Sequence, residues 1–171
     1  MKATFFAGGA LAAAALFASA PTFAQSISPS YYVNLGYSNL GADSDGPNYN
    51  AVTGRLGARL NRYFGVEGEI SGGLNNDQGA HMDTQYAGYG VGYLPVLPNA
   101  DLFARIGYGA TNFSTERAGP VYSSQDNSWN WGVGGQYFFN GPNGVRVDYT
   151  RSNYDNGPDA NTWGVSYVRK F

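Results

Sequence analysis

The chain has 171 residues, no cysteine and a formal net charge of −2. The absence of cysteine excludes a disulfide framework and thiolate chemistry, and the absence of a basic block argues against nucleic acid as a partner. Glycine and tyrosine are abundant, with 25 and 14 copies, and this composition favours short β-strands joined by polar turns.

The N-terminal region has the pattern of a secretory signal peptide. Lys2 is its only charged residue, and the alanine-rich run that follows is too short to span a membrane. Small residues in Thr22-Phe23-Ala24 predict cleavage after Ala24. Residues 1–24 then form the signal peptide and residues 25–171 form one mature domain. A retained N-terminal anchor is the alternative.

Eight segments of alternating hydrophobicity follow, separated by turn-rich stretches. They cover about residues 31–38, 49–61, 64–74, 84–94, 102–111, 129–139, 145–152 and 162–171. Their period of two predicts β-strands. No segment after the signal peptide is long and apolar enough for a transmembrane helix. If the chain spans a membrane, it must do so as a closed barrel, because lipid cannot satisfy the hydrogen bonds of open strand edges.

The two faces of these strands differ in chemistry. One face carries aliphatic and aromatic residues, and the other carries nearly all of the mid-strand charge. The charged residues are Arg55, Arg59, Glu67, Glu69, Arg105, Arg146, Asp148 and Lys170. An arginine or lysine on the lipid face near the bilayer midplane costs about 2–4 kcal/mol. We therefore expect these residues to form a charge network in the lumen. A soluble barrel such as a lipocalin, with the two faces reversed, is the alternative.

The fourth segment separates apolar residues from glycines. Its apolar face consists of Ala87, Tyr89, Val91 and Tyr93, and its other face consists of Gly88, Gly90 and Gly92. The same reasoning places the apolar face towards lipid. The glycines then line the lumen, where small residues leave room for long arginine and glutamate side chains.

Aromatic residues near the strand ends are predicted to anchor the barrel at the membrane interfaces. This group consists of Tyr31, Tyr37, Tyr93, Trp131, Tyr137, Trp163 and Phe171. In the last segment, one face carries Trp163, Val165, Tyr167 and Phe171, and Arg169 is its one polar residue, close to the end of the chain. An aromatic strand that ends on phenylalanine is typical of chains bound for the bacterial outer membrane.

The connections between the segments alternate in length. Those after the second, fourth and sixth segments are short. The longer ones cover residues 39–48, 75–83, 112–128 and 153–161. Outer-membrane barrels have short periplasmic turns and longer external loops. We therefore expect four external loops and both termini in the periplasm.

Three stretches carry a family resemblance. They are Gly65-Val66-Glu67-Gly68-Glu69, Leu102-Phe103-Ala104-Arg105-Ile106-Gly107-Tyr108-Gly109 and Tyr167-Val168-Arg169-Lys170-Phe171. With the signal peptide and the eight strands, they resemble the small outer-membrane β-barrel proteins, a family that includes the OmpA transmembrane domain, OmpX and the opacity-type surface proteins. The resemblance implies an all-β fold: an eight-stranded antiparallel up-and-down transmembrane β-barrel with a polar, charged interior. It also implies location in the outer membrane of a Gram-negative bacterium.

The same resemblance implies insertion by the barrel assembly machinery, which reads the C-terminal strand through Trp163, Val165, Tyr167 and Phe171. No peptidoglycan-binding domain follows the barrel in this sequence. A wall-anchoring role is therefore not expected.

Candidates for catalysis or metal binding are weak. The only histidine, His81, is expected in an external loop without a neighbouring nucleophile. Glu67 and Glu69 share one face, but the arginines beside them favour salt bridges over acid–base chemistry. Asp43-Ser44-Asp45-Gly46 resembles the start of a calcium loop and lacks the later ligands. We expect no catalytic residue, no metal site and no cofactor.

These features favour a protein that presents four external loops in a structural, surface-interaction or adhesion role. Its expected partners are outer-membrane lipid and lipopolysaccharide, the barrel assembly machinery during insertion, and an extracellular ligand of the loops. A narrow porin-like channel for ions or small solutes is the main alternative. A lipid-modifying enzyme and a soluble lipocalin-like carrier are less favoured.

Overall fold

The computed structural model describes residues 29–42, 48–74, 76–77, 80–115, 122–155 and 158–171. These residues form the strands β1 (Ser30–Ala42), β2 (Asn48–Arg59), β3 (Phe64–Gly73), β4 (Asn76–Asp77), β5 (Ala80–Leu97), β6 (Ala100–Thr115), β7 (Tyr122–Asn140), β8 (Asn143–Tyr154) and β9 (Ala160–Lys170). Within these ranges, no helix is long and apolar enough to cross a membrane.

The eight longer strands close into an antiparallel barrel. Hydrogen-bonded neighbours follow the order β3-β2-β1-β9-β8-β7-β6-β5, and β3 pairs with β5 to complete the ring. The two-residue strand β4 pairs with the start of β5. The outermost strands of the chain, β1 and β9, pair from Tyr32 opposite Lys170 to Ala42 opposite Ala160. The expected eight-stranded up-and-down barrel is confirmed.

The short turns and the ends of the barrel sequence lie together at what we call the short-turn end. The turns span residues 60–63, 98–99 and 141–142. At the same end, the Phe171 N–H donates to the Tyr31 carbonyl oxygen (2.8 Å). Gly141 has a φ of 55°, a left-handed conformation that glycine adopts without steric cost. The longer connections lie at the opposite end, the loop end.

The strands extend further towards the loop end than the sequence analysis predicts. β6 and β7 pair as far as Thr115 opposite Tyr122, so the expected loop 112–128 shrinks to residues 116–121. β5 begins at Ala80, inside the expected loop 75–83. These extensions are rich in polar residues, whose backbone groups pair although no apolar alternation marks them. Hydrophobic alternation detects the part of a strand that carries apolar residues and misses its polar extension.

The barrel carries its apolar side chains on the outside. Leu35, Leu56 and Ile106 are 63%, 65% and 62% exposed. Arg146 and Asp148, in contrast, are 0% and 1% exposed. A water-soluble barrel has the opposite arrangement. The charged interior is confirmed, and the soluble-carrier alternative is wrong.

Candidate functional site

Six charged side chains meet in the middle of the lumen and form what we call the central ion cluster. They are Arg55 on β2, Glu67 and Glu69 on β3, Arg105 on β6, and Arg146 and Asp148 on β8. Each occupies an inward position of its strand, so strands from around the barrel bring their charges to one place. The three guanidinium groups and the three carboxylates balance one another in charge.

Glu67 is enclosed by hydrogen-bond donors. Arg105 Nη1 donates to its carboxylate at 2.9 Å, and Arg146 Nη1 and Nη2 donate at 2.7 and 3.2 Å. The Tyr32 hydroxyl adds a fourth hydrogen bond at 2.8 Å. The side chains of Glu67 and Arg146 are both 0% exposed. A buried carboxylate is stable only when its charge is compensated and its oxygens accept hydrogen bonds.

Arg105 joins the carboxylates into one network. Besides Glu67, its guanidinium donates to Glu69 Oε2 (2.7 Å) and to Asp148 Oδ2 (3.1 Å). Arg55 supplies the second set of donors, with Nε bound to Glu69 at 2.6 Å and both Nη atoms bound to Asp148 at 3.1 Å. This bidentate contact fixes the orientation of the Arg55 guanidinium and compensates its positive charge. Because partners are shared, removing one group unbalances several contacts.

Aromatic rings lie against the cationic groups. Arg105 Cζ is 4.3 Å from the ring centre of Tyr89, and Arg146 Cζ is 3.9 Å from that of Phe103. Nearer the short-turn end, Arg59 Cζ lies 4.3 Å from the ring centre of Tyr93. The negative face of an aromatic ring stabilises a guanidinium that has lost its water.

The predicted orientation of the fourth segment, which is now β5, is therefore wrong. Tyr93, expected at the membrane interface, is 5% exposed, and its hydroxyl donates to that of Tyr32 inside the barrel (2.8 Å). Tyr89 is buried as well, whereas Gly88 and Gly90 are exposed on the outer surface. Inside the barrel, aromatic rings of β5 pack against the guanidinium groups. The prediction was wrong because it assumed that every apolar face points towards lipid.

The pairing of β5 with β6 would have predicted the correct orientation of β5. Leu94 pairs with Leu102, which the alternation of β6 places on the outside, and residues that pair directly share a face of the sheet. Tyr93 pairs with Phe103 and therefore points inwards with it.

A smaller polar group lies in the lumen at the short-turn end. Arg59 Nη1 and Nη2 donate to Asp101 at 2.8 and 3.2 Å, and Gln136 Nε2 donates to the same carboxylate at 2.9 Å. Lys170 is half-buried, with Nζ 3.4 Å from an aromatic ring centre. Asp101 is a lumen residue that was not predicted from the sequence, although it shares the alternation of Arg105 along β6.

Towards the loop end, the lining changes from charges to hydroxyl groups. The hydroxyl of Thr53 lies 2.7 Å from that of Ser38 and 2.8 Å from that of Ser71. A buried apolar cap lies beyond them and consists of Leu40, Ala51 and Ala160, with Tyr154 packed against it. Between the ions and the cap, a cavity of about 10 Å³ remains, which is about the size of one water.

Two inward glycines of β7, Gly132 and Gly134, leave room for the side chains of Arg105 and Phe103. A Cβ at Gly134 would lie 2.5 Å from Cζ of Phe103. At Gly132 it would lie 2.6 Å from the Tyr149 carbonyl oxygen and 3.3 Å from Arg105 Nε. A larger residue at either position would displace a neighbour. Small inward residues thus admit long side chains on β7, and not on β5, whose glycines point outwards.

The cluster is not arranged for catalysis. Glu67 and Glu69 are both held by arginines, and the small cavity beside Glu69 leaves no space for a substrate. His81 lies in β5 opposite Asn76 rather than in a loop. The calcium-like stretch Asp43-Ser44-Asp45-Gly46 lies outside the described residues.

The outer surface carries most of the residues expected at the interfaces. Tyr31, Tyr37, Trp131, Tyr137, Trp163 and Phe171 are all exposed there. Trp131, Tyr149 and Trp163 form a row across three strands, with ring centres 6.2 and 4.9 Å apart. Trp163, Val165, Tyr167 and Phe171 face outwards along β9 and its end. Their roles as anchors and as an assembly signal stay predictions.

Solved structures share this architecture. Yersinia pestis Ail, in complex with the heparin analogue sucrose octasulfate, gives a TM-score of 0.63 at 18% identity over 84% of this chain and 99% of that chain. The N-terminal β-barrel domain of Pseudomonas aeruginosa OprF gives 0.63 at 12% identity over 81% and 96%. Neisserial surface protein A gives 0.62 at 11% identity over 82% and 97%. At these identities the likeness shows the fold alone.

A search of curated proteins found no significant match. The model of the outer membrane protein beta-barrel domain matches residues 10–171, which is nearly the whole chain. The chain therefore belongs to the outer membrane protein beta-barrel domain family, and its location is the bacterial outer membrane.

Proposed function

We propose that this barrel is a non-enzymatic surface protein that presents four extracellular connections for contact with other molecules, including adhesion. The observation that carries the proposal is the filled interior. The central ion cluster, the hydroxyl layer and the apolar cap follow one another along the lumen, and the cavity between them holds about 10 Å³. A barrel filled in this way is a rigid support for its loops.

The runner-up function is a narrow channel for ions or small solutes. Conduction needs a continuous water path, whereas here an ion would have to displace guanidinium groups that are hydrogen-bonded to the carboxylates of Glu67, Glu69 and Asp148. Purified protein in a planar bilayer is therefore expected to give no discrete, voltage-steady current steps. Such steps in the wild-type protein, absent from a matched preparation of heat-unfolded protein, would establish the channel instead.

The charge of the loop end indicates which ligands the loops favour. The connections at this end and the strand positions beside them contain acidic residues in excess. The acids are Asp43, Asp45, Asp77, Asp83, Glu116, Asp126, Asp155 and Asp159, and the basic residues are Arg117 and Arg151. Ail was solved with a heparin analogue, which is polyanionic. Like charges repel, so we expect this protein to bind neutral or cationic partners rather than sulfated glycans.

Whole-cell binding tests the surface role. Cells that display the protein are expected to bind immobilised host-matrix or bacterial-surface proteins, and replacing residues 116–121 by a glycine–serine segment of equal length is expected to weaken binding. The matched control replaces residues 156–157 in the same way, because a shorter connection offers less contact. Equal binding by cells with and without the protein would contradict the proposal.

Two accompanying roles follow from the same proposal. The outward face of β9 would be read by the barrel assembly machinery during insertion, and lipopolysaccharide would surround the loop end in the membrane. A lipid-modifying activity is not expected. Unchanged lipid A in a deletion strain is the result that agrees with this.

A further inference from the structure

Two exposed arginines lie at the short-turn end, outside the lumen. Arg62 lies in the turn between β2 and β3, and Arg169 lies on the outward face of β9. Only β1 separates β9 from β2 in the ring, so both arginines lie on the same side of the barrel. Neither belongs to the ion networks of the interior.

One exposed aromatic ring lies beside each of these arginines. Arg62 Cζ lies 6.0 Å from the ring centre of Tyr63, and Arg169 Cζ lies 5.7 Å from that of Phe171. We call this surface the basic strip. It consists of Arg62 and Arg169 with the exposed rings of Tyr31, Tyr63, Phe64 and Phe171.

The turn that carries Arg62 is held in place by hydrogen bonds. Asn61 Oδ1 accepts the N–H groups of Tyr63 and Phe64 at 2.8 and 2.9 Å. Arg59 Nη2 donates to the carbonyl oxygen of Arg62 at 2.6 Å. The backbone is therefore fixed while the guanidinium of Arg62 stays exposed, so the basic strip is preformed.

The two arginines of the basic strip are not held in ion pairs with acidic side chains of the described residues. Within the part of the chain that the structure describes, no side-chain carboxylate forms an ion pair with Arg62 or Arg169. Asp101 is the acidic side chain nearest this end in the lumen, and it is buried and bound to Arg59 and Gln136. A partner with negative charge can therefore bind without competing against an internal one.

We propose that the basic strip binds the headgroup of an anionic phospholipid in the membrane leaflet that the short-turn end faces. Aromatic rings settle at the level of lipid headgroups, and arginine side chains beside them extend to the phosphates. The outer membrane places the strip at this boundary, and its charge complements an anionic headgroup. The proposal concerns the end of the barrel opposite the loops, so it stands or falls separately from the surface role.

Native mass spectrometry of the folded, full-length barrel tests this. The protein is released from micelles that contain equal amounts of phosphatidylglycerol and phosphatidylcholine with the same acyl chains. Each basic residue near an anionic surface contributes about a five-fold preference, so two arginines give about thirty-fold. Arg62→Gln and Arg169→Gln are each expected to lower the preference about five-fold, and the double variant is expected to lose it.

Arg151→Gln is the matched control, because Arg151 lies at the loop end and is paired with Asp159 at 2.9 Å. This variant is expected to keep the wild-type preference. The wild-type protein gives a second readout, since the preference must fall as salt screens the headgroup charge. Equal retention of both lipids by wild type, or full preference in the double variant, overturns the proposal. Displacement of the lipid by inorganic phosphate alone would identify a site for soluble anions and overturn it as well.

Discussion

Replacing Glu67 by glutamine removes one charge from the most enclosed part of the barrel. The substitution keeps the size of the side chain but replaces one acceptor oxygen by an amide group that only donates. That amide would face the N–H groups of Arg105 and Arg146, which now occupy both carboxylate oxygens. The central ion cluster would then hold three guanidinium groups against the carboxylates of Glu69 and Asp148.

The expected cost follows from this imbalance. Removing one partner of a buried ion pair destabilises a protein by about 3–5 kcal/mol, because the other charge stays buried without compensation. Glu67→Gln is expected to fall in this range, and Glu67→Gln with Glu69→Gln is expected to be worse. A charge-balanced variant, Glu67→Gln with Arg146→Met, is expected to lose less than the sum of its two single changes, since each removes the partner that the other leaves unpaired.

Urea unfolding in lipid vesicles, followed by tryptophan fluorescence, measures the free energy of unfolding, and heat-modifiable gel migration reports the folded fraction. Asp159→Asn is the control, because it breaks a partly exposed pair with Arg151 (2.9 Å), for which only about 1 kcal/mol is expected. If Glu67→Gln unfolds within this same small margin of wild type, the reasoning about mutual compensation in the cluster is refuted.

Three further predictions concern packing and orientation. A Cβ at Gly36 would overlap the Val165 carbonyl oxygen, so Gly36→Ala is expected to reduce the heat-modifiable fraction, whereas Gly88→Ala, with no atom within 4 Å, is not. Leu35→Arg, on the lipid face, is expected to cost about 2–4 kcal/mol in urea unfolding, and an unchanged midpoint would contradict the outward orientation. Tyr93→Ala is expected to lower the free energy of unfolding by about 3–5 kcal/mol. If Tyr137→Ala, at an exposed position, lowers it by more, the inward orientation of β5 is contradicted.

Alternation predicts the eight long strands and their two faces, the cost of charge in lipid predicts the charged lumen, and the antiparallel order is what the family resemblance implies. Arg146 and Asp148 illustrate why, since they alternate with Val147 on one strand and the cost of placing a charge in lipid decides which face is inside. Tyr93 shows the limit, because an interior that holds ions also needs rings beside them. Alternation assigns a residue to a face, and it cannot assign an aromatic face when both environments accept aromatic residues.

The identity of the ion partners lies further beyond the sequence. Arg146 binds Glu67 across the lumen although 79 positions separate them along the chain. Which arginine meets which carboxylate depends on the tilt of the strands and on how the sheet closes, and neither is encoded in any single segment. Asp101 was missed for a simpler reason, because it lies where a turn was expected and the alternation of β6 begins one step earlier.

The pairing of β1 with β9 joins the first and the last strand of the chain. Until that seam forms, the sheet has two free edges whose N–H and C=O groups lack partners, a state that hydrocarbon does not tolerate and that invites pairing with other chains. Insertion into the bilayer and sealing of the seam must therefore be coupled. A barrel that depends on contacts between residues so far apart in sequence is expected to fold slowly and cooperatively. Deletion of β9 would leave β1 and β8 as open edges, so the remaining strands are expected to aggregate as a sheet rather than to close into a smaller barrel.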